Sequence, residues 1–257
     1  MDKDLTINTD KHYLSFNRLN KHATNLFSLK PYNFRNGFVS NEKIFENYIN
    51  IQSSLNSKFN KIIKPIQTHT NIVKKVDINN INDEFRDVDG LITNMKNVAL
   101  VTSLADCQGI LLYDNKKKVI GNIHSGWKGT LNRIIENAID LMIKEYDCKP
   151  QNIEVYFCPS ILSCCFEVDC DVKDMFESEF IDINIKSCIT KGKIKEDKQK
   201  YFIDTISINK QILLNMGLKN DNITLSNICS KCNCEIIYSH RADGAKCGRN
   251  IALICLR

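Results

Sequence analysis

Long apolar runs are absent from this sequence of 257 residues. The longest one, around residues 98–113, is interrupted by Asp106 and Gln108, which argues against a membrane-spanning segment. The chain begins Met1-Asp2-Lys3-Asp4 and has no apolar core of the kind found in secretory signals. We therefore expect a cytoplasmic protein that does not associate with membranes.

Clustered positive charge is also lacking. The net charge is +5, but the 35 Lys and Arg residues are dispersed among 30 acidic residues. No dense basic patch with interleaved aromatic residues is present, so we do not expect nucleic-acid binding. A mild excess of positive charge is compatible with a small anionic substrate. No feature of the sequence predicts an oligomeric state.

Histidine is scarce, with five residues, whereas cysteine is plentiful, with twelve. Without a secretory signal we expect reduced thiols rather than a disulfide framework. Cys229, Cys232 and Cys234 form a CxxCxC cluster, and Cys247 follows closely. These four cysteines either bind a structural zinc ion or are separate thiols at strand ends.

The pattern of apolar residues predicts an α+β fold. Helices are expected at residues 42–61, after Thr130, at 168–179 and at 205–216, where Gly217 ends the last one. Strands are expected at residues 4–18, 23–28 and 36–39, through most of 66–124, at 153–157 and at 249–256. A charged loop is expected at 191–200. Because the distinctive segments are spread from residue 35 to 249, we expect a single domain spanning residues 1–257.

Three reactive side chains occur near predicted strand ends. His124 ends an apolar strand before a glycine-rich turn, and a hairpin between neighbouring strands would bring Cys107 close to it. His69 lies in a third β-like segment, residues 66–73, after a helix stopped by Pro65. Taken singly, such residues are usually packed in a core. Together, two imidazoles and one thiolate suit a catalytic zinc ion that keeps its fourth position open.

Several segments resemble the multicopper polyphenol oxidase (laccase-domain) family, whose members are better described as purine nucleoside phosphorylases. The resemblance runs from about Phe34 to the C-terminus, and the blocks Ala105-Asp106-Cys107 and His-Ser-Gly-Trp-Lys-Gly at 124–129 are its most specific parts. The other matching segments are Gln67-Thr68-His69, residues 89–93, 158–161, 164–168 and 239–249. The resemblance implies a four-layer α-β-β-α sandwich with mixed sheets, in which His69, Cys107 and His124 bind the metal. It also implies that Cys164-Cys165 is structural.

The resemblance further implies phosphorolysis of adenosine, inosine and 5′-methylthioadenosine, together with deamination of adenosine. The partners would be purine nucleosides and phosphate, and the cofactor zinc, with copper also possible. Zinc lowers the pKa of a bound water towards neutrality, which is the chemistry that zinc deaminases use.

Phosphorolysis needs cationic donors for phosphate, and the planar guanidinium of arginine suits this task. Arg35 is the first candidate, although Phe34 and Phe38 replace the Thr and second Gly of the family's Thr-Arg-x-Gly-Gly-Val-Ser element. Arg241 and Arg249 are further candidates, each with a structural salt bridge as the alternative. Asp106 either transfers a proton or orients the loop beside the metal ligands.

Two other functions fit the same residues. Two histidines and one cysteine are also the equatorial ligands of blue copper, which would give a copper-dependent polyphenol oxidase. A multicopper oxidase needs on the order of ten imidazoles, however, and this chain has five histidines. The second alternative is a metal-free amidohydrolase acting on cell-wall precursors, with Cys107 as the nucleophile and His124 as the base. Such an enzyme does not require His69.

Overall fold

The structure is a computed structural model that describes residues 4–257. Its strands, in chain order, are β1 (Leu5–Asn8), β2 (Tyr13–Phe16), β3 (Ala23–Ser28), β4 (Lys61–Ile63), β5 (Val73–Lys75), β6 (Gly90–Thr93), β7 (Val98–Leu104), β8 (Gln108–Asp114), β9 (Val119–Ser125), β10 (Ile153–Phe157), β11 (Glu167–Val168), β12 (Ile189–Lys195), β13 (Lys198–Ile203), β14 (Ile223–Leu225) and β15 (Asn250–Leu256). Its helices are α1 (Asn41–Ser54), α2 (Trp127–Leu131), α3 (Ile134–Tyr146), α4 (Cys170–Glu179), α5 (Thr205–Asn215) and α6 (His240–Asp243).

The strands form two six-stranded sheets and one small sheet. The first sheet has the order β1-β2-β3-β15-β7-β4, and the second has the order β14-β10-β8-β9-β6-β5. The third contains β11, β13 and β12. Both large sheets are mixed, because β4 pairs with β7 in parallel, as do β14 with β10 and β5 with β6. The other neighbours in these two sheets are antiparallel.

The two large sheets pack face to face around a shared apolar core. Side chains from both sheets meet there, as in the contact between Phe16 and Tyr156, whose ring centroids are 5.2 Å apart. Helix α1 covers the outer face of the first sheet through Ile44 and Ile51. Helices α3 and α5 cover the outer face of the second sheet. This confirms the predicted α+β fold with four layers in the order α-β-β-α.

The predicted helix at 42–61 is shorter than expected. It runs from Asn41 to Ser54, with the Ser40 hydroxyl accepting the Lys43 N–H at its start. Pro65 does not stop it, because strand β4 already occupies the intervening residues. The apolar residues at 59–63 lie in β4 and in the segment just before it. Their spacing happens to continue the helical pattern of α1, so the helix was predicted to be too long. Residues 36–39 form a loop with one isolated bridge rather than a strand.

The helix expected after Thr130 is divided into two. Helix α2 already starts at Trp127, and Arg133, with a left-handed φ of 56°, separates it from α3. Residues 191–200 are not a loop, because they form most of the β12–β13 hairpin. The expected strands at 153–157 and 249–256 are present, and Gly217, with φ of 90°, follows α5.

Within residues 4–257, no helix combines the length and the apolar character that a membrane crossing requires. The expectation that the chain has no signal sequence was based in part on its charged N-terminus. Residues 1–3 of that segment lie outside the described residues.

Candidate metal centre and substrate cavity

The β8–β9 hairpin brings two of the three predicted ligands together. Gly109 pairs with His124 in this hairpin, and Cys107 lies just before its first pair, Gln108 with Ser125. His69 approaches from the loop that follows β4. One donor atom from each of His69, Cys107 and His124 lies within 4.8 Å of the other two. The two imidazole rings are 4.9 Å apart at an angle of 72°.

His69 does not lie in a strand. Of the expected segment 66–73, Ile66 forms one isolated bridge and β5 begins only at Val73. His69 itself adopts a left-handed conformation with φ of 65°, which non-glycine residues rarely adopt. Gln67 fixes the start of this loop, because its side chain accepts the Ser103 N–H and donates to the Ser103 carbonyl at 2.7 and 3.0 Å.

Asp89 organises the centre, and the sequence analysis assigned it no role. Its fully buried carboxylate lies 2.6 Å from Nδ1 of His124. The same carboxylate accepts the backbone N–H groups of Thr68, His69 and Thr70 at 2.7–3.3 Å. It therefore holds the left-handed loop and orients the His124 ring, leaving Nε2 for a metal. The sequence feature that could have drawn attention to Asp89 is its position directly before Gly90, at the start of the buried strand β6.

Gly126 is required by close approach rather than by backbone conformation. Its φ is −73°, which any residue adopts. A Cβ at this position would come within 2.7 Å of His69 Nδ1 and 3.1 Å of the Cys107 sulfur. Because Gly126 has no side chain, it leaves space for the side chains of His69 and Cys107.

The electrostatic surroundings of the two histidines differ. Burial alone lowers the pKa of His124, but the electrostatic interaction with Cys107 and the hydrogen bond to Asp89 outweigh this and raise it to about 9. Burial and the neighbouring His124 lower the pKa of His69. Burial raises the pKa of Asp89, but hydrogen bonds from His124 and Thr70 prevail and lower it to about 2. The site therefore keeps Asp89 ionised and concentrates negative charge beside His124.

The centre lies in the wall of a cavity of about 630 Å³, a size typical of small-molecule sites. Four cationic side chains line it, namely Arg35, Lys64, Arg241 and Arg249. Among the described residues that line it, Asp106 is the only acidic one. Neutral polar side chains and apolar ones share the rest of the lining, and the large apolar ones are Phe34, Pro65, Ile66, Trp127, Ile161 and Phe166.

Arg35 is held in place by its neighbours. Its Nη1 donates to the carbonyls of Ala245 and Cys247, each at 2.6 Å. Its guanidinium lies 3.7 Å from the centroid of the Phe38 ring. Phe38, which departs from the family's glycine, thus stacks on Arg35. Phe34, which replaces the family's threonine, is fully buried against Tyr48 of α1.

The remaining cations of the cavity fall into two groups. Arg241 donates to the carbonyls of Cys165 and Glu167, and Arg249 donates to that of Gly248. Within residues 4–257 these two arginines bond to backbone carbonyls and form no salt bridge with an acidic side chain. Lys64, which the sequence analysis missed, forms no hydrogen bond or ion pair with any residue in 4–257, and burial lowers its pKa.

Both carboxylate oxygens of Asp106 already accept hydrogen bonds. Oδ1 accepts from the Ser230 hydroxyl at 2.5 Å, and Oδ2 accepts from the Arg241 N–H at 2.6 Å. The Asp106 carbonyl accepts from the Ile161 N–H, and its φ is 81°. Asp106 therefore joins two loops and helix α6 beside the cavity, next to Cys107.

Gln108, another departure from the family pattern, has two polar partners. Its side chain donates to the Thr205 hydroxyl at 2.7 Å and accepts from the Asn209 amide at 2.8 Å. Both partners belong to α5. The buried amide is thereby satisfied, and it ties the start of β8 to this helix.

The fold and the site together define a protein in which two histidines and one cysteine, close enough together to ligate one metal ion, lie in the wall of a cationic cavity. The chain belongs to the multi-copper polyphenol oxidoreductase laccase family, whose model matches residues 27–257.

Curated relatives carry names that refer to nucleoside chemistry. The chain is 34% identical over 216 residues to a purine nucleoside phosphorylase of Borreliella burgdorferi, covering 84% of this chain and 85% of that protein. It is 31% identical over 198 residues to the purine nucleoside phosphorylase YlmD of Bacillus subtilis, covering 74% and 69%. It is also 25% identical over 217 residues to the adenosine deaminase RL5 of an unknown prokaryotic organism, covering 80% and 79%.

Solved structures share the fold. The hypothetical protein YfiH of Bacillus licheniformis superposes with a TM-score of 0.88 at 24% identity, covering 99% of this chain and 100% of that one. YlmD of Geobacillus stearothermophilus superposes with a TM-score of 0.87 at 23% identity, covering 99% of each chain.

Proposed function

We propose that this protein is a zinc-dependent purine nucleoside phosphorylase acting on adenosine, inosine and 5′-methylthioadenosine. One observation carries the proposal: a cavity of nucleoside size joins a His-His-Cys centre to four cationic side chains and a single acidic one. Phosphorolysis brings a phosphate anion to a sugar whose base departs, so it needs cationic groups for the phosphate and a proton donor or Lewis acid for the departing base. The names of the relatives support the same activity. We further propose that residues 1–257 form one domain around this cavity.

The phosphate would bind to the cationic side chains. Arg35 is already oriented by two carbonyls and by the ring of Phe38, so little side-chain entropy is lost when it binds an anion. Lys64 has no protein partner among the described residues, so a bound phosphate would supply one. Arg249 lines the same cavity. These groups stabilise the negative charge that phosphate brings, and the apolar lining excludes water around the base and ribose.

The donor set of the centre fits zinc. His69, Cys107 and His124 would hold the ion, and Asp89 fixes the Nδ1 side of His124 so that the other ring nitrogen is available. When bound, zinc supplies Lewis-acid polarisation of a substrate oxygen or nitrogen. Copper accepts the same ligands, so the identity of the metal is part of the proposal.

We propose that Asp106 acts by orienting loops rather than by transferring a proton. Its two oxygens are engaged by Ser230 and by the backbone of Arg241, which supports the second of the two roles considered for it. In that role it fixes the position of Cys107, the residue that follows it.

Deamination of adenosine is proposed as a second activity of the same site. One relative carries the name adenosine deaminase, and a zinc site with an open position is the arrangement that deaminases use. Conversion of adenosine to inosine without added phosphate would show this activity directly.

The principal experiment is an assay of the purified, zinc-loaded protein with inosine or adenosine, in the presence and absence of phosphate. We expect release of hypoxanthine or adenine that depends on phosphate, together with formation of ribose 1-phosphate. If the protein with an intact metal centre releases no base from any of the three nucleosides, the proposal is wrong.

The two alternatives are separated by His69→Ala. Under our proposal this variant loses both the zinc at the centre and turnover. A metal-free Cys–His amidohydrolase would keep its activity, and Cys107 would remain open to alkylation by iodoacetamide. Metal analysis and a visible absorption scan of the wild type distinguish zinc from blue copper, because only the copper–thiolate centre is strongly coloured.

A further inference from the structure

Four cysteines outside the cavity form a second cluster. One sulfur from each of Cys164, Cys165, Cys229 and Cys232 lies within 4.8 Å of the other three. This set differs from the one that the sequence suggested, because Cys234 and Cys247 do not belong to it and Cys164-Cys165 takes their place.

The distances within the cluster are those of metal ligands rather than of disulfides. The sulfur of Cys232 lies 3.8 Å from that of Cys164 and 3.5 Å from that of Cys165. A disulfide requires about 2.05 Å. Four sulfurs placed about 2.3 Å from a tetrahedral zinc ion are about 3.8 Å from one another. The thiols are therefore already near the spacing of a tetrathiolate site.

Two paired loops position these sulfurs. Ser160 forms a bridge with Cys229, and the Ser230 N–H donates to the Ser160 carbonyl at 2.9 Å. Cys229 and Cys232 have the C-x-x-C spacing that is common in structural zinc sites.

We propose that Cys164, Cys165, Cys229 and Cys232 bind a second zinc ion in a closed, structural site. Four thiolates complete the tetrahedral coordination and leave no position for a substrate, in contrast to the three-ligand centre. The proposal rests on the cysteine geometry alone and holds whether or not the protein is a phosphorylase.

The second zinc would brace one wall of the cavity. Ser230 and Ile161, from the two loops joined by the cysteines, both hydrogen-bond to Asp106. The carbonyl of Cys165 accepts from Arg241, whose own N–H binds the Asp106 carboxylate. Fixing these loops therefore fixes the segment that carries Cys107.

The test is the zinc content of the purified protein and of matched variants. We expect about two ions per chain in the wild type, one for each group of ligands. The double variant Cys164→Ser/Cys232→Ser should lose one ion and keep the other, and His69→Ala should lose the other one. Cys234→Ser is the matched control, because it lies in the same loop but outside the cluster, and it should retain both.

Equal zinc content in the folded double variant and the Cys234→Ser control would overturn the proposal. So would intact-mass analysis of freshly purified wild type showing a disulfide among the four cysteines in place of metal. Zinc loss from His69→Ala tests the three-ligand centre separately from the four-cysteine cluster. A negative result for one of the two sites therefore does not contradict the proposal for the other.

If the double variant does not fold, cobalt binding provides the test with all four cysteines present. In the variant His69→Ala/Cys107→Ser, Co²⁺ should produce intense thiolate-to-cobalt absorption and the visible bands of tetrahedral cobalt. Absence of thiolate absorption in cobalt-treated protein would show that the cluster does not bind metal.

Discussion

The carboxylate of Asp89 lies 2.6 Å from Nδ1 of His124 and also accepts the N–H of His69 at 3.1 Å. One buried side chain thus positions two of the three proposed metal ligands, although they come from a strand and from a loop. Its backbone adds to this link, because the Asp89 carbonyl accepts the His124 N–H at 2.7 Å.

Asp89→Asn should weaken zinc binding at the three-ligand centre by roughly 10- to 100-fold, as is usual when a carboxylate that orients a ligand is lost. The amide cannot accept from all the donors that the carboxylate serves, so the loop at 68–70 should also loosen. Zinc affinity measured by competition with a chromophoric chelator checks this. Asp87→Asn, an exposed change two residues away, is the control. Equal affinities in the two variants would contradict the prediction.

Gly126→Ala should reduce metal affinity while the protein remains folded. The new methyl would come within 2.7 Å of His69 Nδ1 and 3.1 Å of the Cys107 sulfur, so both proposed ligands would have to shift. Gly129→Ala, where the nearest side-chain atom would be 3.4 Å away, is the matched control and should bind zinc normally. Circular dichroism and zinc titration of both variants make the comparison. Wild-type affinity in Gly126→Ala would show that the glycine is not needed for the site.

Zinc affinity at the three-ligand centre should increase with pH. In the metal-free protein the pKa of His124 is raised to about 9 by Cys107 and Asp89, which outweigh the effect of burial. Zinc must displace this proton, so between pH 6 and 9 affinity should rise by about tenfold per unit for that proton. Titrations of the Cys164→Ser/Cys232→Ser variant isolate this centre. A zinc affinity that does not change between pH 6 and 9 would contradict the raised pKa of His124.

The same pKa shift predicts a trend in the stability of the metal-free protein. Because the pKa of His124 in the folded state lies above its usual value of 6.5, protonation favours folding. This contribution is complete below about pH 6.5 and is lost as the pH rises through about 9. Urea unfolding of chelator-treated protein should give a smaller free energy of unfolding at pH 9 than at pH 6.5. His124→Gln should reduce this difference.

Lys64→Met should raise the KM for phosphate about tenfold or more, which corresponds to the loss of one charge-assisted hydrogen bond. The aliphatic part of the side chain is retained, so zinc content and stability should remain close to those of the wild type. Lys116→Met, an exposed change in the β8–β9 turn, is the control. If the KM for phosphate is the same in the two variants, Lys64 does not contact phosphate.

Much of the framework could be read from local patterns. The strand ending at His124, the helix from Thr205 and the C-terminal strand have a regular apolar period along the chain, and such periods reflect burial of one face. The three proposed ligands stood out because the residue types are chemically distinctive. The predicted ends of helices were less accurate, because the apolar residues of β4 continue the helical spacing of α1.

The loop conformations were not readable from the sequence. His69 and Asp106 have positive φ angles, which only a few per cent of non-glycine residues adopt, so a local pattern does not predict them. Asp89 was assigned no role from the sequence, because the N–H groups that it binds are about twenty positions away in the chain. Gly126 likewise has an unremarkable backbone, and only the neighbouring side chains show why it lacks a Cβ.

The sequence by itself determined which chemical groups are present and where most of the strands and helices lie, because residue type and hydrophobic period are local properties. Only the tertiary structure decided which groups meet. It joined Cys164-Cys165 to Cys232, 67–68 positions apart, and placed Asp89 beneath His69 and His124. Such contacts depend on how the two sheets and their loops pack in space, and no local pattern along the chain encodes them.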